Sequence, residues 1–230
     1  LESSLIQNLI FNEKRQKDII KLFEVSDIYS KDSKNNIICS KQVGIIASGI
    51  IAKNFRDFSK RIDETFIRSI FLKIGFKLDK FIKMIDRNKI DSKAKTDIFF
   101  IEIPLSEIEA SIESYSHSYI PKNEFISYKK VSEFPSSKRD FSFLLKNPDK
   151  LNTISKIIND SKLRNIKDLF LFDFYKNENN NEIKVAYRFI FQSIEKTLTD
   201  EEINCEMKPL LEKILKQEGV SIPGYNLDEN

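Results

Sequence analysis

The residues best suited to chemistry in this sequence are the basic and aromatic side chains of its C-terminal half. Residues 122–188 contain 14 Lys and Arg against 9 Asp and Glu, whereas residues 195–229 contain 4 against 9. A phosphate backbone is attracted to a segment with an excess of positive charge. Ordinary solvated charge explains these counts about equally well, so the charge distribution alone leaves both interpretations open.

Strand alternation places several of these side chains on one predicted exposed face. If Phe189 and Phe191 point toward the helices, Lys184 and Arg188 point away from them. Exposed aromatic rings and cations on a small sheet stack and hold unpaired bases. The predicted RNA-binding residues are Ser142, Asp173, Tyr175, Lys184 and Arg188 on this face, with Lys138 and Arg139 at a strand entry as phosphate-binding candidates.

Arg188 also has a purely structural interpretation. Asp140 and Asp173 are predicted to lie on the same face, and an ion pair with either carboxylate would fix the sheet without any ligand. The sequence leaves the two roles of Arg188 about equally favoured.

The sequence contains no residue set with the types and spacing of a catalytic or metal site. His117 is the only histidine, and a general base needs a partner that orients it. Cys39 and Cys205 are too few for a disulfide framework or a zinc site. The 5 glycines form no phosphate-binding loop. We therefore expect no catalytic residue, no metal ligand and no bound cofactor.

Composition is that of a folded chain without membrane segments. With 230 residues, 40% of them hydrophobic, the chain can build one large or two small cores. No apolar run reaches transmembrane length, we expect no leader peptide, and the two cysteines fit a reducing compartment. We expect a cytoplasmic location and, because Leu1 opens a helix-like pattern, a fragment of a longer polypeptide.

The elements that position these residues follow from hydrophobic periodicity. In the N-terminal half the pattern predicts helices over residues 1–12, 62–74 and 106–111 and strands over residues 19–29, 43–51 and 98–103. The continuous apolar run at 43–51 is typical of a strand buried on both faces. The 62–74 stripe is expected to be core, with a partner-subunit interface as the alternative. Residues 77–97 are too charged for an assignment.

After a Ser-rich, non-periodic segment at 114–128, the pattern predicts a second, smaller fold. Strands are expected around 141–145, over 166–175 and 183–191, and near 220–222, with helices over 151–158 and from Thr199 onward. Thr199 and Glu202 have the spacing of a capping box. The resulting order β-α-β-β-α-β is the split βαβ arrangement, in which two helices cover one face of the sheet.

Three segments carry a resemblance to a known family. Residues 134–143 (FPSSKRDFSF) and 169–204 (LFLFDFYKNENNNEIKVAYRFIFQSIEKTLTDEEIN) resemble the ferredoxin-fold anticodon-binding domain of phenylalanyl-tRNA synthetases in order and spacing. Residues 22–29 (LFEVSDIY) are similar to a strand of the catalytically silent synthetase-like domain in the bacterial-type β chain, with Ser26 replacing the usual glycine. Residues 76–97 are shorter than the family's equivalent.

The resemblance implies an α+β fold. Residues 1–115 would form a partial, antiparallel-sheet class II synthetase-like domain and residues 116–128 a linker. Residues 129–222 would form the ferredoxin-like β-α-β-β-α-β anticodon-binding domain, and residues 223–230 a tail.

It also implies a tRNA-binding and scaffolding role within an enzyme that attaches phenylalanine to its tRNA. ATP and magnesium would be used by the whole enzyme, and the partner α chain would carry the chemistry in an α2β2 assembly. This part alone is expected to be non-catalytic. The alternatives are a free-standing RNA-binding or protein-interaction module, and a retained catalytic site, whose class II motif arginines we do not find in residues 1–115.

Overall fold

The computed structural model describes residues 1–78, 80–111, 128 and 130–225. By their contacts these residues belong to two units. The first comprises Leu1–Ala52 and Ser59–Asn123, and the second comprises Lys53–Phe58 and Glu124–Asn230. The predicted linker and His117 lie outside the described residues, apart from Tyr128.

The first unit is an antiparallel sheet with strand order β1-β2-β4-β3 in its described part. Its elements, in chain order, are α1 (Glu2–Lys14), β1 (Ile19–Lys31), β2 (Ile37–Gly49), α2 (Glu64–Lys73), β3 (Ile82–Ile85), a 3-10 turn (Arg87–Lys89), β4 (Ile98–Pro104) and α3 (Leu105–Ser111).

Both faces of this sheet are covered, which confirms the interpretation of the apolar run at 43–51. Ile46 packs with Leu5 and Leu9 of α1 on one face. Its neighbour Ala47 packs with Ile67 of α2 on the other. Adjacent residues of one strand thus enter different cores, as the pleat requires. Continuous burial therefore replaces the polar alternation of a half-exposed strand.

Three expectations for this unit need correction. Strand β2 starts at Ile37 rather than at residue 43. Its first half pairs with β1 in an exposed hairpin, so its sequence shows no alternation of buried and exposed residues. Helix α2 starts only at Glu64, after the N-cap Asp63, and it leaves Ile70 42% exposed rather than in the core. Ile74, at the end of the same predicted stripe, is 50% exposed.

The unassigned segment 77–97 contains the short strand β3. It pairs antiparallel with β4, placing Ile82 opposite Ile101 and Ile85 opposite Ile98. Only four residues form this strand, and its two middle positions are exposed, so it has no distinct hydrophobic period. Pairing with the buried β4, and not local sequence, makes it a strand.

The second unit has the predicted β-α-β-β-α-β order. Its elements are β5 (Ser137–Leu145), α4 (Lys150–Asn159), β6 (Ile166–Lys176), β7 (Ile183–Phe191), α5 (Asp200–Leu215) and β8 (Val220–Ser221). In the described residues the sheet order is β6-β7-β5-β8, all neighbours antiparallel. The split arrangement and the β6–β7 hairpin are confirmed.

Helices α4 and α5 cover one face of this sheet and form its core. Phe143, Phe189 and Phe191 are fully buried there. Ile154 of α4 and Ile214 of α5 close over them. Alternate strand residues supply this core, so the residues between them must lie on the opposite face.

The predicted capping box at the start of α5 is confirmed. The Thr199 hydroxyl accepts from the Glu202 backbone N–H at 3.3 Å, and the Glu202 carboxylate accepts from the Thr199 N–H at 3.0 Å. The Lys196 ammonium also donates to that carboxylate. This hydrogen bond, together with the one from Thr199, lowers the pKa of Glu202. Both interactions are stronger with the ionised carboxylate.

Glu202→Gln is expected to lower the thermal midpoint at pH 7, because it removes the charge while keeping an acceptor. A carboxylate with a lowered folded-state pKa stabilises above its unfolded pKa of about 4.3, and this contribution disappears as pH falls through the folded pKa. The difference from wild type should therefore shrink as the pH falls and vanish below the folded-state pKa of Glu202. Glu201→Gln, in the same first turn, is the control. A Glu202→Gln deficit that stays constant with pH would contradict this assignment.

Candidate RNA-binding surface

The sheet face opposite α4 and α5, called the open face below, consists of rows of paired residues on β5, β7 and β6. Each row is centred on a β7 residue flanked by one neighbour from each adjacent strand. The rows are Leu144–Lys184–Tyr175, Ser142–Ala186–Asp173, Asp140–Arg188–Phe170 and Lys138–Ile190–Asp168. All five residues predicted for the exposed face lie in these rows.

Arg188 is held in the middle of the open face by Asp140. Its Nε and Nη2 donate to the two carboxylate oxygens at 2.7 and 2.6 Å. The guanidinium carbon lies 4.9 Å from the centre of the Phe58 ring and 5.0 Å from that of Phe172. Its side chain is 18% exposed. The geometry is that of the structural alternative, with Asp140 rather than Asp173 as partner.

Arg139 points to the opposite side of the sheet. It pairs across the ladder with the buried Phe189, so it belongs to the helix-covered face. There its guanidinium forms an ion pair with Asp200 in the first turn of α5. Lys138 lies opposite Ile190 and therefore on the open face. The predicted trio of Lys138, Arg139 and Arg188 thus does not form one continuous surface.

The most accessible row of the open face contains Tyr175 and Lys184. These two residues are direct neighbours across β6 and β7. Tyr175 is 60% exposed, and both Lys184 and Asp173 are exposed. An exposed ring beside a cation has the chemistry needed to stack a base and to contact the phosphate next to it.

Ser142 differs from the other predicted contacts. Its hydroxyl oxygen is buried, with no hydrogen-bond partner among the described residues. It lies opposite Ala186. Because Ser142 and Ala186 have small side chains, the second row protrudes less from the sheet than the rows with aromatic and basic side chains on either side of it.

Residues Lys53–Phe58 form a segment that the periodicity did not single out and that belongs to the second unit; we call it the strap. Lys53 forms a 2.5 Å ion pair with Asp168 of β6. The Phe58 ring lies 5.7 Å from Phe170 and 5.3 Å from Phe172. The strap thus covers the rows around Arg188. Its sequence, KNFRDF, interleaves basic and aromatic residues, a signal of nucleic-acid binding that was available.

Among the described residues, the cysteine and acidic side chains do not gather into a metal site, and the cysteines form no disulfide. No group of three His, Cys, Asp or Glu suitable for a metal occurs in the part of the chain that the structure describes. Cys39 and Cys205 are free and exposed. None of the described helices is long and apolar enough to cross a membrane.

The second unit matches a known family. Residues 132–223 match the family model described as "Ferredoxin-fold anticodon binding domain". This match covers the whole β-α-β-β-α-β arrangement. The α+β class and the ferredoxin fold of the second unit are therefore confirmed.

Curated relatives extend the similarity to the first unit. The chain is 26% identical to a "Phenylalanine--tRNA ligase beta subunit" of Thermotoga maritima over 94% of its own length and 30% of the relative. It is 24% identical to the chloroplastic β subunit of Pyropia yezoensis over 96% of itself and 35% of the relative. It is 26% identical to a β subunit of Helicobacter pylori over 97% of itself and 31% of the relative. The chain thus spans about a third of these relatives.

Proposed function

We propose that this chain, whose residues 132–223 belong to the ferredoxin-fold anticodon-binding domain family, is the tRNA-binding and scaffolding C-terminal part of a phenylalanyl-tRNA synthetase β subunit. Similarity to curated β subunits over 94% of the chain carries this proposal. The assembled enzyme attaches phenylalanine to its tRNA with ATP and magnesium. The partner α chain performs that reaction in an α2β2 assembly, and the present chain supplies no catalytic group.

The domain organisation belongs to the same proposal. Residues 1–115 are a catalytically silent, class II synthetase-like domain, residues 116–128 a linker, residues 129–222 the anticodon-binding domain and residues 223–230 a tail. The antiparallel sheet of the first unit, covered by helices on both faces, supports this assignment. Its role is to hold the assembly together.

On the open face, Tyr175 and Lys184 are the proposed RNA contacts. Tyr175 stacks an unpaired base and Lys184 meets a phosphate, with Lys138 and Asp173 as further polar contacts on the same face. Arg139 and Arg188 are positioning residues, because each already pairs with a carboxylate. Ser142 supports these contacts as a small residue between the exposed groups.

The test uses the assembled α2β2 enzyme carrying Tyr175→Ala and Lys184→Gln together. The Michaelis constant for tRNA is expected to rise about tenfold, because one stacked base and one phosphate contact are lost. The salt dependence of that constant should also weaken. The value of kcat should change little, since neither residue touches the reacting atoms.

The matched control is Tyr128→Ala with Lys130→Gln, an exposed tyrosine and lysine at the boundary between the linker and this domain, outside its sheet. It should leave the Michaelis constant for tRNA unchanged. If the Tyr175 and Lys184 variant is folded and has the same Michaelis constant and salt dependence as wild type, the open face is the wrong surface.

A further inference from the structure

The strap has a fixed conformation determined by Asn54. The Asn54 side-chain oxygen accepts from the backbone N–H groups of Arg56 at 3.0 Å and Asp57 at 3.1 Å. The backbone oxygen of Asn54 accepts from the Phe58 N–H at 2.9 Å. Such side-chain-to-backbone bonds define an Asx-type turn. The strap is therefore a preformed turn that places its side chains in defined directions.

One side of this turn anchors it to the sheet. Phe58 packs against Phe170 and Phe172 and covers the Arg188 guanidinium. Lys53 pairs with Asp168 and lies 5.7 Å from the Phe170 ring centre. In these contacts the charge of Lys53 is neutralised by Asp168, and part of the Phe58 ring is buried. Neither residue is available for a ligand without loss of the anchor.

The other side of the turn is accessible. Phe55 is 40% exposed, and its ring centre lies 5.7 Å from that of Phe174, which is 36% exposed. The Arg56 guanidinium carbon lies 5.5 Å from the Phe55 ring centre, and Arg56 is exposed. Two neighbouring rings with a cation beside them form a small stacking platform at the strand β6.

We propose that the strap is a second RNA-contacting element of the anticodon-binding domain, in which Phe55 stacks an unpaired base and Arg56 contacts a phosphate. This inference rests on the proposed tRNA-binding function and extends its surface from the sheet to a turn outside residues 132–223. Base–aromatic stacking tolerates any base, and an arginine beside the ring adds attraction for the phosphate backbone.

Charge favours RNA over a protein as the occupant of this surface. Residues 122–188, with 14 Lys and Arg against 9 Asp and Glu, supply most of the sheet against which the strap packs. The strap adds the exposed cation Arg56, since the charge of Lys53 is paired with Asp168. The exposed apolar part consists of two half-exposed rings rather than a broad patch. A protein interface would need a larger apolar centre, whereas one stacked base needs a single ring face.

The experiment measures binding of a tRNA transcript specific for phenylalanine to the assembled α2β2 enzyme that contains this chain, over a series of salt concentrations. Phe55→Ala is expected to weaken binding about tenfold with an unchanged salt slope. Arg56→Gln should weaken binding and reduce the slope of log K against log salt by about 0.7–0.9, the value for one phosphate contact. A merely structural role for Arg56 would not change this slope.

The chain offers a matched control in α1, where Arg15 lies over the ring of Phe11 at 3.4 Å and Phe11 is 52% exposed. Phe11→Ala and Arg15→Gln remove the same pair chemistry from a helix of the first unit. Both should leave tRNA affinity and the salt slope unchanged. Circular dichroism of all four variants checks that each one is folded.

The outcomes separate this inference from the proposed function. If Tyr175→Ala weakens binding while Phe55→Ala and Arg56→Gln do not, the strap has no RNA contact and the function stands. If the assembled wild-type enzyme does not bind the transcript, the function and this inference both fail. If the strap variants instead weaken only the association with the α chain, the strap is a protein-docking element and the inference is overturned.

Discussion

Replacing Gly49 by alanine is expected to lower the free energy of unfolding of the first unit by about 3 kcal/mol or more. Gly49 ends β2 with a φ of +101°, and an added Cβ would lie 2.1 Å from the backbone oxygen of Asp18. That oxygen accepts a hydrogen bond from the Ile50 N–H at 2.9 Å. The clash is between backbones, so the pairing of β1 with β2 must open to relieve it.

Gly75→Ala is the matched control for this substitution. Gly75 also has a positive φ, +78°, but an added Cβ there would meet nothing within 4 Å. Only the conformational strain remains, about 1 kcal/mol. Hydrogen exchange of the β1 and β2 amides measures the stability of this unit separately. Equal losses for the two variants would show that the close approach at Asp18 does not decide the stability.

Arg188→Ala is expected to destabilise the second unit by about 2–3 kcal/mol. The substitution removes a bidentate hydrogen bond to Asp140 and the contacts to two aromatic rings. Because Asp140 is partly exposed, solvent screening reduces the stabilisation that the ion pair provides. Arg188→Lys keeps the charge but not the planar fork, so it should lose about half as much. Urea unfolding of the variants, followed by exchange of the β7 amides, gives these values.

A double-mutant cycle with Asp140→Asn isolates the interaction between Arg188 and Asp140. In this background Arg188→Ala should cost about 1 kcal/mol less than in wild type, because the partner charge is already gone. An Arg188→Ala variant that is as stable as wild type but binds tRNA weakly would contradict the positioning role. It would make Arg188 a direct RNA contact instead.

Much of the second unit was predictable, because its signals are local. Thr199 and Glu202 identify the start of α5 through a bond pattern that spans three residues. The alternation around Phe189 fixes which side chains of β7 face the helices. Alternation also assigns Arg139 to the helix-covered face, but only when β5 begins at Ser137. The strand was expected around residues 141–145, so Arg139 lay outside it and its side was not predicted.

The structure decided what depends on pairing between distant segments. Strand β3 exists because β4 offers it a partner, and the first half of β2 exists because β1 does. Neither segment has a hydrophobic period of its own. Similarly, Asp140 and Asp173 were equal candidates to pair with Arg188, and the sheet register selected Asp140.

The sequence by itself determined the capping box of α5, the strand alternation of the second unit and the family pattern of residues 134–143 and 169–204. These features depend on residues a few positions apart, within reach of backbone and side-chain bonding rules. Only the tertiary structure showed that the strap covers Arg188. Lys53 of the strap and its partner Asp168 are 115 positions apart in the sequence. No local rule relates segments so far apart, since their contact depends on how the folded chain fills the space above the sheet.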